Sequence, residues 1–505
     1  MAEETKRSLY RCISEAVIDG RLPQGFSLPK EADDKNKISW ADGAKDGVGM
    51  YHFGIPTMKD EDRDLMIQAV MASGEGRKEE AEAAFSDLGK KSQALYVIDP
   101  LQEFIMDNTD RIDPEKLFSV ATHMLYNSTD RECVKFGLSM LELLSTDKDE
   151  DLKYAVRTIG LSDEFTLFAL YVMMRWTDKD QEIFDLAQHV FGWGRIHAIE
   201  RLDPVNEKIR TWLLKEGVNN NIMPAYSALT CYEKAGVEEL LFRDLSEEDY
   251  PSVRDIMYGL MDEGPVQGIS AVERGEDVVL RFLSFAERYA TDYPDYQAVR
   301  GIRIHFENVD RKNKDLAEKA DAIVDICKKI LDTDKCRDAV KAATKEGIGI
   351  DLARELSVLD PKDILHLMKE DFSKHVGLVF AVVEDDSCRK ETLKLFSENL
   401  PLDAMKTHPT LTAGIGADFA DQRKLEFLVQ ALRDYPCEGE EFIETGLCSS
   451  PIRTRHLSLM TIEKWVEKLQ KPISEISPKL YSVLSEISPI EPDEKLKNRM
   501  VLLLK

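Results

Sequence analysis

The sequence lacks the cysteine spacings that mark metal sites and the long apolar runs that mark membrane spans. None of its eight cysteines belongs to a C-x-x-C pair, and no compact group of four cysteines and histidines is present. A structural zinc site needs such a group, so we expect no metal. No run of about 18 apolar residues occurs, so we expect no membrane-spanning helix. Scattered cysteines within apolar patterns are typical of reduced thiols in a cytoplasmic protein.

Basic residues are scarce relative to acidic ones. The 505 residues include 67 lysines and arginines against 94 aspartates and glutamates, which gives a net charge of −27. Such a chain repels nucleic acid and anionic membranes, so we expect neither as a partner unless a local basic patch overrides the average. Catalytic and cofactor motifs are also missing, including G-x-S-x-G, H-E-x-x-H and a strand-to-helix G-x-G-x-x-G. The sequence therefore predicts no cofactor and leaves open whether the protein is an enzyme.

Helical periodicity dominates the chain from Lys59 onward. Asp113-Pro114 is a helix start, because aspartate caps and proline tolerates the first helical position. The residues that follow share one apolar face: Leu117, Val120, Ala121, Met124 and Leu125. Similar starts recur at Asp99-Pro100, Asp203-Pro204, Asp360-Pro361, Ser450-Pro451 and Ser477-Pro478. The run Val376 to Val383 fits a buried strand or a buried helix, and its helical neighbours favour a helix. The sequence predicts an all-α fold.

The exception is a long segment near the N-terminus, Arg21 to Pro56, in which helical periodicity is absent. Its aromatic residues argue against plain disorder. Two interpretations remain open: a cap over the end of a repeat array, or a loop that contacts a ligand. For the second, the candidate residues are Trp40, Asp42, Asp46 and His52. The glycines Gly43, Gly47 and Gly49 do not form a phosphate-binding loop, since no Lys-Ser/Thr ending follows them.

The densest cluster of chemically capable side chains lies between Gly192 and Leu202. On a helix, Arg195 shares an apolar face with Ala198, Ile199 and Leu202, whereas the opposite face carries Trp193, His197, Glu200 and Arg201. An arginine in an apolar stripe either makes an ion pair or helix-end carbonyl contact, or binds an anion in a groove. His197 and Glu200 alone do not complete a metal site. Trp193 either packs between helices or, with Arg201, stacks on a flat ligand.

One family resemblance concerns the repeat pattern. The stretch Ser450-Pro451-Ile452-Arg453-Thr454-Arg455-His456-Leu457-Ser458-Leu459 resembles the second helix of a HEAT repeat, and Asp130-Arg131-Glu132-Cys133-Val134-Lys135 is a weaker match. The Gly192 to Leu202 stretch is similar to segments of bacterial HEAT-like proteins. The resemblance implies a HEAT-like α-α superhelix, or solenoid, in which stacked helix pairs bury faces that no single pair can bury.

These observations give an expected organisation and two alternative functions. We expect a helix plus ordered loop or cap over residues 1–57, an N-terminal helical array over 58–310 and a C-terminal array over 311–505. The first function is a bacterial cytoplasmic scaffold or adaptor that binds a protein partner on the solenoid surface. The alternative is a HEAT-like enzyme or nucleic-acid-processing protein with its site near Gly192 to Leu202, as the resemblance to HEAT-like alkylpurine glycosylases implies. That alternative requires a basic groove, which the net charge disfavours.

Overall fold

The protein is helical throughout the part of the chain that the structure describes. The structure is a computed structural model and describes residues 7–29, 40–54, 58–312, 314–414 and 417–505. Within those ranges there is no β-strand, and only an isolated bridge joins Ile18 to Arg21. The predicted all-α fold is confirmed. In the same ranges, every helix is too short or too polar to cross a membrane.

The chain divides into two compact units. The first comprises residues 7–29, Trp40–Ala290 and Ala298–Lys328, and the second comprises Thr291–Gln297 and Lys329–Lys505.

The helices up to the first change of unit are α1 (Leu9–Ala16), α2 (Ala44–Val48), α3 (Asp60–Gly74), α4 (Lys78–Gly89), α5 (Ala94–Asp107), α6 (Pro114–Asn127), α7 (Arg131–Leu141), α8 (Glu150–Gly160), α9 (Thr166–Met173), α10 (Lys179–His189), α11 (Gly192–Arg201), α12 (Glu207–Glu216), α13 (Ala225–Ala235), α14 (Val237–Arg243), α15 (Tyr250–Leu260) and α16 (Gly275–Tyr289). A π-helical turn, Gly49–Phe53, follows α2, and a 3₁₀ turn covers Ile269–Ala271.

The chain changes unit within α17 (Tyr293–Glu307) and again within α18 (Lys314–Leu331). The remaining helices are α19 (Asp334–Thr344), α20 (Ile350–Glu355), α21 (Pro361–Glu370), α22 (Phe372–His375), α23 (Val379–Val382), α24 (Asp386–Asn399), α25 (Leu402–Met405), α26 (Ala420–Ala431), α27 (Glu440–Leu447), α28 (Ile452–Leu469), α29 (Ile473–Ile476), α30 (Pro478–Ile487) and α31 (Glu494–Leu503). Short 3₁₀ turns cover Val376–Leu378, Ala417–Phe419, Leu432–Asp434 and Ser488–Ile490.

Consecutive helices of the first unit pack in pairs. Helices α6 and α7, α8 and α9, α10 and α11, and α12 and α13 form such pairs. The second helix of each pair also packs on the second helix of the next, so that α7, α9, α11, α13 and α15 form one continuous row. Close approach within a pair depends on small residues: a Cβ on Gly137 of α7 would lie 3.0 Å from the Ala121 carbonyl oxygen of α6.

Several predicted helix starts are confirmed, and two are wrong. Asp113, Asp360 and Ser477 each accept backbone N–H groups from the first turn of α6, α21 and α30. Pro100, in contrast, lies inside α5, which begins at Ala94 because the Glu132 carboxylate accepts the Ala94 N–H group at 2.5 Å. Likewise, α12 begins only at Glu207, after the capping residue Asn206, and not at Asp203-Pro204. The run Val376 to Val383 is helical, as its neighbours indicated.

The prediction that the N-terminal segment is non-helical is wrong for residues 44–53, which form α2 and the π-helical turn. Gly43 precedes this helix in the left-handed region, with φ at 72°. The inner side of the helix is formed partly by Gly47 and Gly49, both buried, so no apolar periodicity marks it in the sequence. Residues 30–39 and 55–57, which belong to the same predicted segment and cap, lie outside the described residues.

Candidate functional site

The candidate site is formed where residues 40–54, called here the docked segment, pack on the row of second helices. The segment contacts α7, the residues just before α9, α11 and α13. As a result, α11 is buried on both faces, with every residue from Gly192 to Ile199 inaccessible. The face that carries Trp193 and His197 therefore meets the docked segment.

The charged half of the site is centred on Lys135 of α7, whose side chain is 1% exposed. Its Nζ atom lies 2.7 Å from Asp46 of the docked segment, 3.1 Å from Glu132 and 2.6 Å from Glu164. Gln93 donates a hydrogen bond of 2.7 Å to the second oxygen of Asp46. Burial alone would lower the pKa of Lys135, but the three carboxylates outweigh burial and raise it well above its ordinary value. The lysine is therefore held as a cation.

A second cation, Arg131, lies one helical turn earlier. Its guanidinium contacts Asp42 of the docked segment at 2.8 Å and Glu164 at 3.2 Å. The other oxygen of Asp42 accepts the Leu28 N–H group at 2.9 Å, and Glu164 also accepts the Gly43 N–H group at 2.9 Å. The two aspartates of the docked segment thus face two cations of α7 at the same spacing of four residues.

The aromatic half of the site surrounds Tyr51, at the other end of the docked segment. Its ring stacks on Trp193, with centroids 5.8 Å apart, and on His197 at 6.2 Å, while Tyr226 of α13 lies 5.0 Å away. The Tyr51 hydroxyl donates a hydrogen bond to Glu200. Burial, followed by the Glu200 charge, raises the pKa of Tyr51. The phenol is therefore held protonated, as a donor to a carboxylate.

Close packing in this half depends on a glycine. A Cβ on Gly47 would lie 2.3 Å from the Trp193 ring, nearer than any real contact. The next residue after Tyr51, His52, places its Nε2 atom 2.6 Å from the Tyr226 hydroxyl. The docked segment therefore packs closely on Trp193 because residue 47 has no side chain. A hydrogen bond between His52 and Tyr226 joins it to α13.

Two ionisable groups of α11 complete the aromatic half. His197 is buried, its Nδ1 atom has no hydrogen-bond partner, and that atom lies 4.0 Å from the nearest Glu200 oxygen. Burial lowers the pKa of His197, so the ring is neutral at pH 7. Burial would raise the pKa of Glu200, but the neighbouring His197 side chain, the Tyr51 hydroxyl and the Arg201 guanidinium keep it below its ordinary value. Glu200 is thus an ionised acceptor beneath the tyrosine.

The start of α11 is held by Asp163, which reaches it from the turn before α9. Its Oδ1 atom accepts the Gly194 N–H group at 3.2 Å. Glycine is required at two positions beside this carboxylate, because a Cβ on Gly192 or Gly194 would lie 2.2 or 2.7 Å from its oxygens, and a Cβ on Gly43 would lie 2.4 Å from the backbone carbonyl oxygen of Asp163. Burial raises the pKa of Asp163 to about 7, against the opposing effect of the backbone N–H groups. Gly192 and Gly194, on either side of Trp193, therefore leave the space that Asp163 needs to cap the start of α11.

The other sequence-predicted residues lie away from the docked segment or at its edge. Arg195 points to the opposite side of α11, where it donates to the Val190 and Asn219 carbonyl oxygens at 2.9 and 2.8 Å. These are the helix-end contacts of the first interpretation. Arg201 lies at the edge and donates to the Tyr171 hydroxyl at 3.4 Å. Trp40, at the start of the docked segment, is 41% exposed.

Several site residues were missed by sequence reasoning. Lys135, Glu132 and Glu164 carry the charged half, and Tyr51 and Tyr226 carry much of the aromatic half. Glu132 and Lys135 stand three residues apart on α7, a spacing typical of a solvated helix face. The sequence signal that could have revealed these residues was a charged helix face together with a distant segment rich in aspartate, glycine and aromatic residues.

Comparisons with known proteins add no family to this description. Neither the protein-family models nor the curated proteins include a match to this chain. Within the described ranges, no three His, Cys, Asp or Glu side chains are grouped so as to hold a metal ion.

Proposed function

We propose that this protein is an interaction scaffold of HEAT-like architecture, which binds a protein partner along its row of second helices. The observation that carries the proposal is the docked segment itself. Fifteen residues lie across α7, α11 and α13, and their side chains reach buried ionic and aromatic partners there. A row of helices that already holds one segment in this way has the chemistry for holding another.

The charges of the site favour a protein partner over nucleic acid. Both cations of the charged half, Arg131 and Lys135, are already bonded to carboxylates. A phosphate backbone needs cations that are available to it. A cytoplasmic location belongs to the same proposal, supported by eight cysteines that are all free thiols.

The test is site-specific photocrosslinking of the full chain in a lysate of the native host. A photoreactive phenylalanine analogue replaces Phe53, which is 79% exposed at the end of the docked segment. The matched control carries the same analogue in place of Tyr154, which is 62% exposed on α8. We expect a discrete protein adduct from position 53 and not from position 154. No adduct from position 53, or the same adducts from both positions, would contradict the proposal.

A further inference from the structure

We propose that the docked segment is an intramolecular ligand, and that the partner of this surface is a peptide segment with the same chemistry. That chemistry is two carboxylates four residues apart, a glycine directly after the second and an aromatic hydroxyl four residues after the glycine. In this chain the positions are Asp42, Asp46, Gly47 and Tyr51. The inference rests on the proposed scaffold function and names the class of its partner.

The docked segment and the surface that receives it are distinct parts of the chain. The receiving side chains, such as Arg131, Lys135 and Trp193, belong to the second helices of successive pairs. The docked segment is not a member of any of these pairs. It contributes only a short helix and a π-helical turn, and Phe53 at its end is 79% exposed. The paired helices of the unit therefore hold it as an addition to their row.

The receiving surface is selective for the chemistry of the docked segment. Arg131 and Lys135 stand four residues apart on α7 and meet Asp42 and Asp46, which are also four residues apart, at 2.8 and 2.7 Å. Arg131 and Lys135 lie on the same side of α7 because they are four residues apart on one helix. Asp42 reaches the same side from the turn before α2, through the left-handed Gly43, so the match requires that turn as well as both aspartates. At the aromatic end, Trp193 leaves no room for a side chain at position 47.

The aromatic end also distinguishes tyrosine from phenylalanine. The ring of residue 51 lies against Trp193 and His197, and its hydroxyl donates to the partly buried carboxylate of Glu200. A phenylalanine would leave that carboxylate without this donor. A site that bonds a hydroxyl binds the analogue without it more weakly, because the carboxylate then loses a donor and keeps the Arg201 guanidinium at 3.3 Å.

The docked state is not electrostatically optimal, so a competitor can replace the segment. Without the segment, Arg131 and Lys135 would be balanced by Glu132 and Glu164. With it, Asp42 and Asp46 join the same cluster, so that among the described side chains of the charged half four carboxylates face the two cations. Buried charge pairs stabilise weakly because desolvation offsets their attraction, and an excess of one sign weakens them further.

The first experiment measures binding of a fluorescent peptide of residues 40–54 to the full chain by anisotropy. In the variant Gly47→Val, contact with Trp193 prevents the chain's own segment from docking and leaves the receiving surface unchanged. The matched control is Gly264→Val, since a Cβ on Gly264 would meet nothing within 4 Å. We expect the peptide to bind Gly47→Val at least tenfold more tightly than the wild type or the control, because a tethered segment competes at an effective concentration of ~1 mM.

Peptide variants then test the chemistry. With Gly47→Val as receiver, peptides carrying Asp46→Asn or Tyr51→Phe are expected to bind at least tenfold more weakly than the unmodified peptide. Equal binding of all three peptides would overturn the stated partner class. No binding of any peptide to a Gly47→Val protein with wild-type circular dichroism would overturn the intramolecular-ligand proposal.

A second measurement needs no variant and holds even if Gly47→Val fails to fold. Hydrogen exchange of the wild-type chain is expected to be at least tenfold faster in Gly47–Phe53 than in Ile196–Arg201 of α11, because the segment opens without unfolding of its receiver. Equal protection of the two stretches would mean that the segment never leaves on its own, and would overturn the proposal.

The outcomes also separate this inference from the scaffold function. Peptide binding without crosslinked adducts in the lysate would keep the binding surface and remove the scaffold role. Adducts without peptide binding would keep the scaffold role and remove this partner class. A wild-type dimer that the free peptide dissociates would assign the surface to a second copy of the chain, and would overturn the partner proposed here.

Discussion

The substitution Lys135→Met is the sharpest test of the charged half of the site. The lysine is 1% exposed, and its Nζ atom is within 3.1 Å of three carboxylates, those of Asp46, Glu132 and Glu164. Methionine keeps the apolar stem of the side chain and removes the charge. The variant therefore leaves the three carboxylates around an uncharged side chain, with Arg131 beside only one of them.

The expected loss of stability follows from general measurements on buried ion pairs. Removal of one partner of a buried pair lowers the free energy of unfolding by about 3–5 kcal/mol. We expect a loss of about 4 kcal/mol at pH 8. The loss does not triple with three carboxylates, because they can take up protons, and each unit of pKa shift corresponds to about 1.4 kcal/mol.

The loss is expected to depend on pH in a defined direction. Burial already raises the pKa of Glu132, and Lys135 is among the groups that keep the pKa of Glu164 below its ordinary value. Without the lysine, Glu164 loses one of the groups that lower its pKa, and Glu132 becomes a carboxyl group whose folded-state pKa lies still further above that of the unfolded chain. Such groups bind protons on folding, so their contribution to stability falls as the pH rises through the raised pKa. The variant should therefore be closer to the wild type at pH 5 than at pH 8.

The assay is urea unfolding of the full chain at both pH values, followed by tryptophan fluorescence. Four of the five tryptophans, at positions 40, 176, 193 and 212, belong to the first unit, so the signal reports mainly on that unit. The matched control is Lys90→Met, because the Lys90 side chain is 69% exposed and pairs with Asp87 on the surface. A loss below about 1 kcal/mol at pH 8, the range of surface pairs, would refute the reasoning, as would equal losses at the two pH values.

Three further predictions concern other buried groups. Gly194→Ala places a methyl group 2.7 Å from Asp163 and should lower the unfolding free energy of the first unit by about 1–3 kcal/mol in urea titrations. An effect no larger than that of the control Gly264→Ala would contradict the close contact between residue 194 and Asp163. Because the pKa of Asp163 is raised to about 7, its contribution to stability is present at low pH and is lost as the pH rises toward 7. Asp163→Asn should therefore flatten the change of Tm between pH 5 and pH 8, and an unchanged pH profile would count against the raised pKa. Arg455→Met leaves the buried Glu491 without its cation after the loss of two contacts of 2.7 Å, and should destabilise the second unit by about 3–5 kcal/mol. Hydrogen exchange in α28 measures this loss, and wild-type protection there would refute it.

The sequence was sufficient to predict the starts of those helices that are capped by a neighbouring side chain. Asp113, Asp360 and Ser477 cap the helices that follow them because the capping groups are only two or three residues away. Pro100 misled the same reasoning, since the true start of α5 is set by Glu132, which is 38 residues from Ala94 along the chain. Local patterns predict local caps and cannot reveal remote ones.

The candidate site was predictable only in part for a related reason. Trp193, His197 and Glu200 were correctly placed on one helix face, because helical spacing is a local property. What covers that face was not predictable, since Tyr51 is 149 residues from its hydrogen-bond partner Glu200. The helix and π-helical turn of the docked segment were not predictable either. The residue that packs against Trp193 is Gly47, and a glycine does not contribute to the apolar periodicity by which helices are recognised.

The buried arginine Arg195 is best understood together with two others. Arg195, Arg389 and Arg455 are each the fourth residue of a helix, namely α11, α24 and α28. Each donates to a carbonyl oxygen at or just after the end of the preceding helix or turn, those of Val190, Val383 and Ser449.

Carbonyl groups at a helix end have no partner within their own helix, and a guanidinium offers several donors at a fixed geometry. An arginine at the fourth position of a helix therefore supplies donors to the carbonyl groups that the preceding helix or turn leaves unpaired. The contact occurs in both units, at the starts of α11, α24 and α28. It also separates the two faces of α11: the Arg195 face bonds the chain on either side of the helix, and the Trp193 face meets the docked segment.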